Sequence, residues 1–488
     1  MRHTLASCVV LLCLGMLCSS AHALSVTKGL APYQVVQCGN DGKASIDLAG
    51  ASVAAGKVQA RVVGVQKEII PWTDLGKAAG GAWQGALPAV PAGGPYRVEV
   101  RLVDDSGKTL EETAVSEAMV GDVWILAGQS NMQGVGNRVN VESPHPQVHT
   151  FAMNYEWRLA QEPLHTLAES PDPVHGTFPS DAERQKAIAG WRDGAKGAGL
   201  GIAFAKEMLT RTGRPVGLIA SAHGGTSMEQ WDPAQKDKAG ASLYGSMCKQ
   251  VQAAGGKVKG VLWYQGESDA NEKVQPVYRE KMKQLVGAMR ADLGVADLPF
   301  YYVQISRFAG KNVEMFPAWG KIQSDELALE GELGRCGLVS AIDLDMDDGI
   351  HIGTPGLKTL GYRLACLAEK DLFGGKVLRG PRLEKIEPIA GTPHGQQLRV
   401  KFASVNGGLK AAGRVSGFSI SGGPDAANAS CIFKQEVSTD DPTVIILWVE
   451  SVPENAQLWY GRGLDPYCNV VDQANMALPV FGPVAIPK

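Results

Sequence analysis

Between residues 120 and 373 short apolar runs alternate with stretches of helical period, and this alternation limits the possible folds more than any other feature of the chain. The apolar runs at 123–127, 216–221, 261–264, 300–305 and 338–342 have the length and composition of buried strands. Between them, Tyr278, Met282, Leu285 and Met289 recur at steps of four, three and four, which places them on one helix face. A second helix is expected over about 201–210. Strands separated by helices predict a mostly parallel sheet covered on both faces, with functional loops at the strand C-terminal ends. The stretch 137–199 is rich in Pro, His and charge. It reads as a long excursion that shapes a pocket rather than as regular core.

On either side of this region the pattern is β-like. From about 24 to 118 short strands alternate with turns, as in 96–103, which ends at Asp104-Asp105-Ser106-Gly107. From about 379 onward the strand candidates are 397–402, 418–421 and 443–449. A chain of 488 residues exceeds what one core sustains, and the expected division is a leader over 1–23, a β domain over 24–119, an α/β domain over 120–375 and a second β domain over 376–488. The leader consists of Met1-Arg2-His3, an apolar run from Thr4 to Cys18, and the small-x-small pattern Ala21-His22-Ala23. Export to a secreted or periplasmic location is expected, with the mature chain starting near Leu24. The run is too short for a convincing membrane span, and no later segment inserts in a bilayer.

A net charge of −3 with no basic run argues against a nucleic-acid partner. After the leader, Cys38, Cys248, Cys336, Cys366, Cys431 and Cys468 permit disulfides, but their scatter gives no framework. No CxxC or Cys/His cluster suggests a metal, so chemistry without a cofactor is expected.

Four polar clusters follow the strand candidates. Gly128-Gln129-Ser130-Asn131-Met132 comes directly after 123–127, which puts the Ser130 hydroxyl at the sheet rim and leaves its amide free to bind an anion. This is not the Gly-x-Ser-x-Gly elbow of the α/β-hydrolases. Ala222-His223-Gly224-Gly225-Thr226-Ser227 follows the second strand, and paired glycines let backbone amides approach a ligand. Trp263-Tyr264-Gln265-Gly266-Glu267-Ser268-Asp269 ends the third, where the Gln265 amide can donate to a developing oxyanion. Asp347-Asp348-Gly349-Ile350-His351 lies beyond the last. Serine attack on an ester needs a base and a carboxylate to orient it, and a turn at Gly349 can bring Asp348 to His351. Asp347 is the alternative orienter; the three-residue spacing favours Asp348.

In this order and spacing the four blocks resemble those of the sialate O-acetylesterase family of the SGNH hydrolases, over roughly residues 121–368. The resemblance implies a flavodoxin-like three-layer α/β/α SGNH hydrolase domain, here with flanking β-sandwich-like domains. It makes Ser130 the nucleophile, His351 the general base and Asp348 its orienting carboxylate. It places the oxyanion hole at the amides of Ser130 and Gly225 and the side chain of Gln265. One departure is that Ile352 follows His351, where many members have proline.

The implied substrate is an acetylated carbohydrate, either an O-acetylated sialic acid or acetylxylan or another plant or microbial polysaccharide, cleaved through an acetyl-serine. Trp157, Trp191, Trp231 and Trp263 lie in or near the loops and are candidates to stack on sugar rings. Trp263 is expected in the core by its strand position, and Trp231 is the pocket candidate. Glu229 and Glu267 read chiefly as loop ties, with Glu267 also a candidate substrate contact. A non-catalytic carbohydrate-binding protein is the rival reading, and the presence of every triad member argues against it. A lipid esterase would need an apolar lid, and none is evident.

Overall fold

A computed structural model describes residues 24–79, 81–310, 315–392, 395–423 and 428–488. The expected leader lies outside the described residues. The central sheet contains β1 (Thr109–Gly128), β2 (Val148–Phe151), β3 (Trp157–Leu159), β4 (Val216–Ala220), β5 (Gly260–Tyr264), β6 (Phe300–Gln304) and β7 (Cys336–Ser340). Their spatial order is β3-β2-β4-β1-β5-β6-β7. All neighbours are parallel except β2 and β3. The five strands expected from the sequence therefore stand in the order second, first, third, fourth, fifth, which is the flavodoxin-like order. Each is buried along its length within this sheet because its apolar residues face helices on both sides.

The helices are α1 (Ser130–Gln133), α2 (Asp181–Arg192), α3 (Gly201–Thr212), α4 (Leu243–Ala254), α5 (Tyr278–Asp292), α6 (Phe316–Leu329) and α7 (Thr354–Phe373). In α5 the buried residues include Tyr278, Met282, Leu285 and Met289, the face read from their spacing. The helices pack in pairs, α3 beside α7 and α5 beside α6. Gly361 lets α7 approach α3 closely, since a Cβ there would lie 2.7 Å from the Phe204 nitrogen. No described helix is long and apolar enough to cross a membrane.

The stretch 137–199 departs from expectation. Val148–Phe151 is wholly buried and joins the sheet beside β4. His149 and Thr150 hid this strand from an apolar reading, because their polar atoms are matched internally: His149 Nδ1 lies 2.6 Å from the Tyr33 carbonyl and Thr150 donates to Leu218 O at 3.1 Å. The remainder holds the short β3, a three-residue strand at Lys196–Ala198, 3₁₀ turns and α2, joined by irregular loops.

β1 has 20 residues and serves two layers. Its first half pairs antiparallel with Gly93–Val103 and its second half enters the parallel sheet. A separate apolar core lies under this N-terminal β region, formed by residues such as Leu48, Val62, Leu87 and Val100. At the other end, two four-stranded antiparallel sheets enclose a third core that includes Leu398, Ile420, Leu447 and Tyr460. None of the six cysteines is paired.

Arg363 of α7 ties this last region to the central sheet. It has no exposed surface, forms a fork with Asp343 at 2.8 and 2.7 Å, and donates to the carbonyls of Ser340 and Asn475. Arg363→Ala would strand the Asp343 carboxylate and two carbonyls. It is expected to lower the unfolding free energy by about 3–5 kcal/mol, read as a shift in denaturation midpoint at constant slope.

Candidate active site

The C-terminal ends of β1, β4 and β5 and the loop after β7 converge on one spot. Gly128 closes β1 at φ +130°, and a Cβ there would sit 2.2 Å from the Tyr264 carbonyl, so only glycine lets the two strand ends touch. The next residues form α1, a single turn that is buried throughout. Its side chains join the other loops. Gln129 accepts the Ser268 amide at 3.2 Å, and Gln133 accepts the Gly224 amide at 2.7 Å. Asn131 reaches both Glu267 and the loop that carries His351.

Ser130 Oγ lies 3.0 Å from His351 Nε2, and His351 Nδ1 lies 2.9 Å from Asp348 Oδ2. The carboxylate fixes the tautomer: Nδ1 carries the proton and donates to Asp348, which leaves the Nε2 lone pair for the Ser130 hydroxyl. Asp348 Oδ1 accepts the amides of Ile350 and His351 at 3.0 and 2.9 Å, so the turn folds around the carboxyl group. Burial pushes the Asp348 carboxyl up, but hydrogen bonds from the His351 ring and these amides outweigh it and hold the group at about 2. Asp347 has a different task, accepting the Asn137 amide at 2.5 Å.

Asn131, only 1% exposed, brackets His351. Its Nδ2 donates to the Ile350 carbonyl at 3.2 Å, and its Oδ1 accepts the Ile352 amide at 3.0 Å. A proline at 352 would have no amide to offer, so the departure from the usual pattern is put to use here. Glu267 orients the bracket by accepting the same Nδ2 at 2.7 Å. It is 4% exposed, and burial raises its carboxyl above the usual range. Reading the sequence missed Asn131, Gln129 and Gln133. The available signal was three amide side chains within five residues of a buried turn, each of which needs a partner. Asn131→Asp would lose both donations and set two carboxylates together. Displacing His351 by a fraction of an ångström is expected to lower kcat on p-nitrophenyl acetate by about 10²-fold with KM within a factor of three.

Gly224 and Gly225 lie against the serine, and a Cβ on Gly224 would be 3.4 Å from Ser130 Cβ. Gly225 adopts φ +71°. Among the described residues the amides of Ser130 and Gly225 have no hydrogen-bond partner.

Three expectations need correction. Gln265 is wholly buried, and its Nε2 donates to the Thr226 carbonyl at 3.1 Å and to Asp269 Oδ2 at 2.5 Å. Both amide hydrogens are engaged, so Gln265 ties the Gly-Gly turn to the Asp269 loop rather than facing an oxyanion. Trp231 also has no exposed surface; it packs edge-on against Trp263 and donates to Thr226 Oγ1 at 3.0 Å. Its indole belongs to the core and offers no face to a sugar. Glu267 is buried and bonded to Asn131, so it ties loops together rather than presenting a carboxylate to a sugar. Trp263 is buried as expected; Trp157 is also buried, and Trp191 is half-buried. Lys196, not singled out from the sequence, has its Nζ 3.5 Å from Asp348 Oδ2. Among the described residues no group of His, Cys, Asp and Glu side chains could hold a metal ion.

A serine, a histidine and an aspartate in hydrogen-bond sequence beside two free amides have the parts for acyl transfer. A profile of the carbohydrate esterase, sialic acid-specific acetylesterase family matches residues 120–370, just over half of the chain. The chain belongs to this family. Sialic acid-specific acetylesterases of this kind are carboxylic ester hydrolases acting on carbohydrate acetates, and so is this member. It is similar to a probable carbohydrate esterase of Arabidopsis thaliana, 29% identical over 266 residues, covering 50% of this chain and 88% of that one. It is also 26% identical over 366 residues to the sialate O-acetylesterase of Homo sapiens, covering 64% of this chain and 65% of the human protein. The fold is shared with a carbohydrate acetylesterase from Xanthomonas citri at a TM-score of 0.64 and 23% identity, over 94% of this chain and 99% of that one.

Proposed function

We propose that this esterase removes O-acetyl groups from a sialic acid or a related acetylated glycan through an acetyl-serine at Ser130, outside the cytoplasm. The observation that carries the mechanism is the unbroken sequence Ser130 Oγ, His351 Nε2, His351 Nδ1, Asp348 Oδ2, with contacts of 3.0 and 2.9 Å. His351 takes the Ser130 proton as Oγ attacks the acetyl carbonyl. The oxyanion that forms is stabilised by the Ser130 and Gly225 amides, whose dipoles need no reorganisation during the reaction. Collapse breaks the ester C–O bond, and the proton on His351 passes to the departing sugar oxygen. A water then gives its proton to His351, attacks the acetyl-serine and releases acetate, restoring the Ser130 hydroxyl.

In this reading Gln265 acts indirectly, by fixing the turn that presents Gly225. The sugar is supported by family membership and by the similarity to the human sialate O-acetylesterase. The test is acetate release from 9-O-acetylated sialic acid, acetylated xylan and p-nitrophenyl acetate. The highest kcat/KM is expected on the acetylated sialic acid; a preference for xylan would change the sugar and leave the mechanism intact. No hydrolysis of any of the three would overturn the reading altogether.

A further inference from the structure

A second polar network ends at His223, directly before the Gly224 that lies against Ser130, and nothing in the reaction above uses it. It begins at Asp172, whose side chain is 2% exposed and is paired with Lys249. Tyr155 donates to Asp172 Oδ2 at 2.5 Å and Ser246 Oγ donates to the same oxygen at 2.6 Å. Burial pushes this carboxyl up, and the hydrogen bonds from Lys249, Ser246 and Tyr155 more than reverse that, so it is a carboxylate. From Ser246 the chain continues to His175 Nε2 at 3.1 Å, and His175 Nδ1 lies 3.1 Å from His223 Nδ1. The two imidazoles are stacked, with centroids 5.2 Å apart. Burial, and then the neighbouring His223, depress His175 to about 3; burial also lowers His223. Both rings are therefore neutral at ordinary pH.

Every proton in this chain is then determined. Asp172 only accepts, so the Ser246 hydroxyl hydrogen points to it and Ser246 Oγ must accept from His175. His175 Nε2 therefore carries its proton and its Nδ1 is a bare acceptor. His223 supplies the hydrogen between the two rings from its own Nδ1, which leaves the His223 Nε2 lone pair unprotonated. That nitrogen has no partner among the described residues and, unlike both ring nitrogens of His165, is not sealed from solvent. His223 follows the end of β4, donates its amide to the Gly128 carbonyl at 3.0 Å, and directly precedes the Gly224 that lies against Ser130.

We propose that His223 Nε2 is a fixed hydrogen-bond acceptor for a sugar hydroxyl next to the acetylated carbon, set in that role by the Asp172–Ser246–His175 chain. The proposal rests on the carbohydrate ester reading above and names what selects a sugar acetate over a simple one. An unwired histidine could turn its N–H outward and face the hydroxyl as either donor or acceptor. Here the buried carboxylate, three hydrogen bonds away, removes that choice.

The test compares kcat/KM on a mono-O-acetylated sugar, on its analogue lacking the adjacent hydroxyl, and on p-nitrophenyl acetate. In His223→Phe the ratio of sugar acetate to p-nitrophenyl acetate is expected to fall about tenfold, the size of one hydrogen bond to a buried polar group. On the deoxy analogue wild type and His223→Phe should differ no more than they do on p-nitrophenyl acetate. Ser246→Ala, which releases the proton order without touching the cleft, should lower the same ratio by a smaller factor. His223→Gln reaches the Nε2 position with an amide oxygen and should recover most of the selectivity, which also covers the case in which the phenylalanine variant fails to fold. Equal losses on all three substrates, or a full loss retained on the deoxy analogue, would overturn the proposal. Retained hydrolysis in Ser130→Ala would instead sink the esterase reading on which it rests.

Discussion

Ser130→Ala is expected to remove essentially all ester hydrolysis, lowering kcat by roughly 10⁶-fold, as loss of a nucleophile does when base and orienter have nothing left to act on. The reason is local. Ser130 Oγ is the protein atom within hydrogen-bond reach of His351 Nε2, at 3.0 Å, and no other hydroxyl among the described residues contacts that nitrogen. The turn that carries it is held by Gln129, Asn131 and Gln133 through bonds that do not involve the hydroxyl. The variant should therefore fold with an unchanged melting transition. Acetate release from p-nitrophenyl acetate by rigorously purified protein checks the result. Any rate above a few thousandths of wild type would mean that the nucleophile lies elsewhere.

The second large effect is expected from Asp348→Asn, a fall in kcat of roughly 10²–10⁴-fold. An asparagine that keeps its oxygen on the Ile350 and His351 amides turns its NH₂ towards His351 Nδ1. That favours the tautomer with the proton on Nε2, and the base then has no lone pair for Ser130. The side chain of Asp348 is 42% exposed, and Lys196 stands beside it. Water and this ammonium screen the carboxylate, which places the loss below that of Ser130→Ala. The pH profile separates the roles further. The Asp348 carboxyl is depressed from 3.8 to about 2, so it is ionised throughout ordinary working pH. Its stabilising contribution is complete above about 4 and disappears only as pH falls through about 2. Asp348→Asn should thus lower the rate by a similar factor at every pH above about 4. Asp347→Asn, which can still accept the Asn137 amide, is the control and should stay within about threefold of wild type.

Much of the fold was legible because buried parallel strands are nearly continuous apolar runs. The candidates at 261–264 and 300–305 match β5 and β6 to within a residue. β2 was not legible, since His149 and Thr150 satisfy their polar atoms through Tyr33 and Leu218, residues far away in the chain. The length of β1 was also hidden. Its first half alternates like a half-exposed antiparallel strand and its second half is solidly apolar, so one strand reads as the end of one region and the start of another.

At the site, the blocks around Ser130, Gly225, Gln265 and Asp348–His351 could be read because loops at strand ends carry polar residues that the core would reject. Whether each residue faces the cleft or its own scaffold was not written there. Gln265 and Trp231 have the right chemistry for an oxyanion donor and a sugar platform, but Asp269 and Thr226 claim their hydrogens first. Asn131 reads as an ordinary neighbour of the serine until the 345–353 loop folds onto it.

The sequence by itself determined the layered α/β order and the set of reacting groups, because strand period, helix period and residue chemistry are local properties. Only the tertiary structure decided which polar side chains are free, which are engaged, and where the protons lie. That depends on partners brought together from residues more than 200 positions apart, such as Asn131 and Ile352.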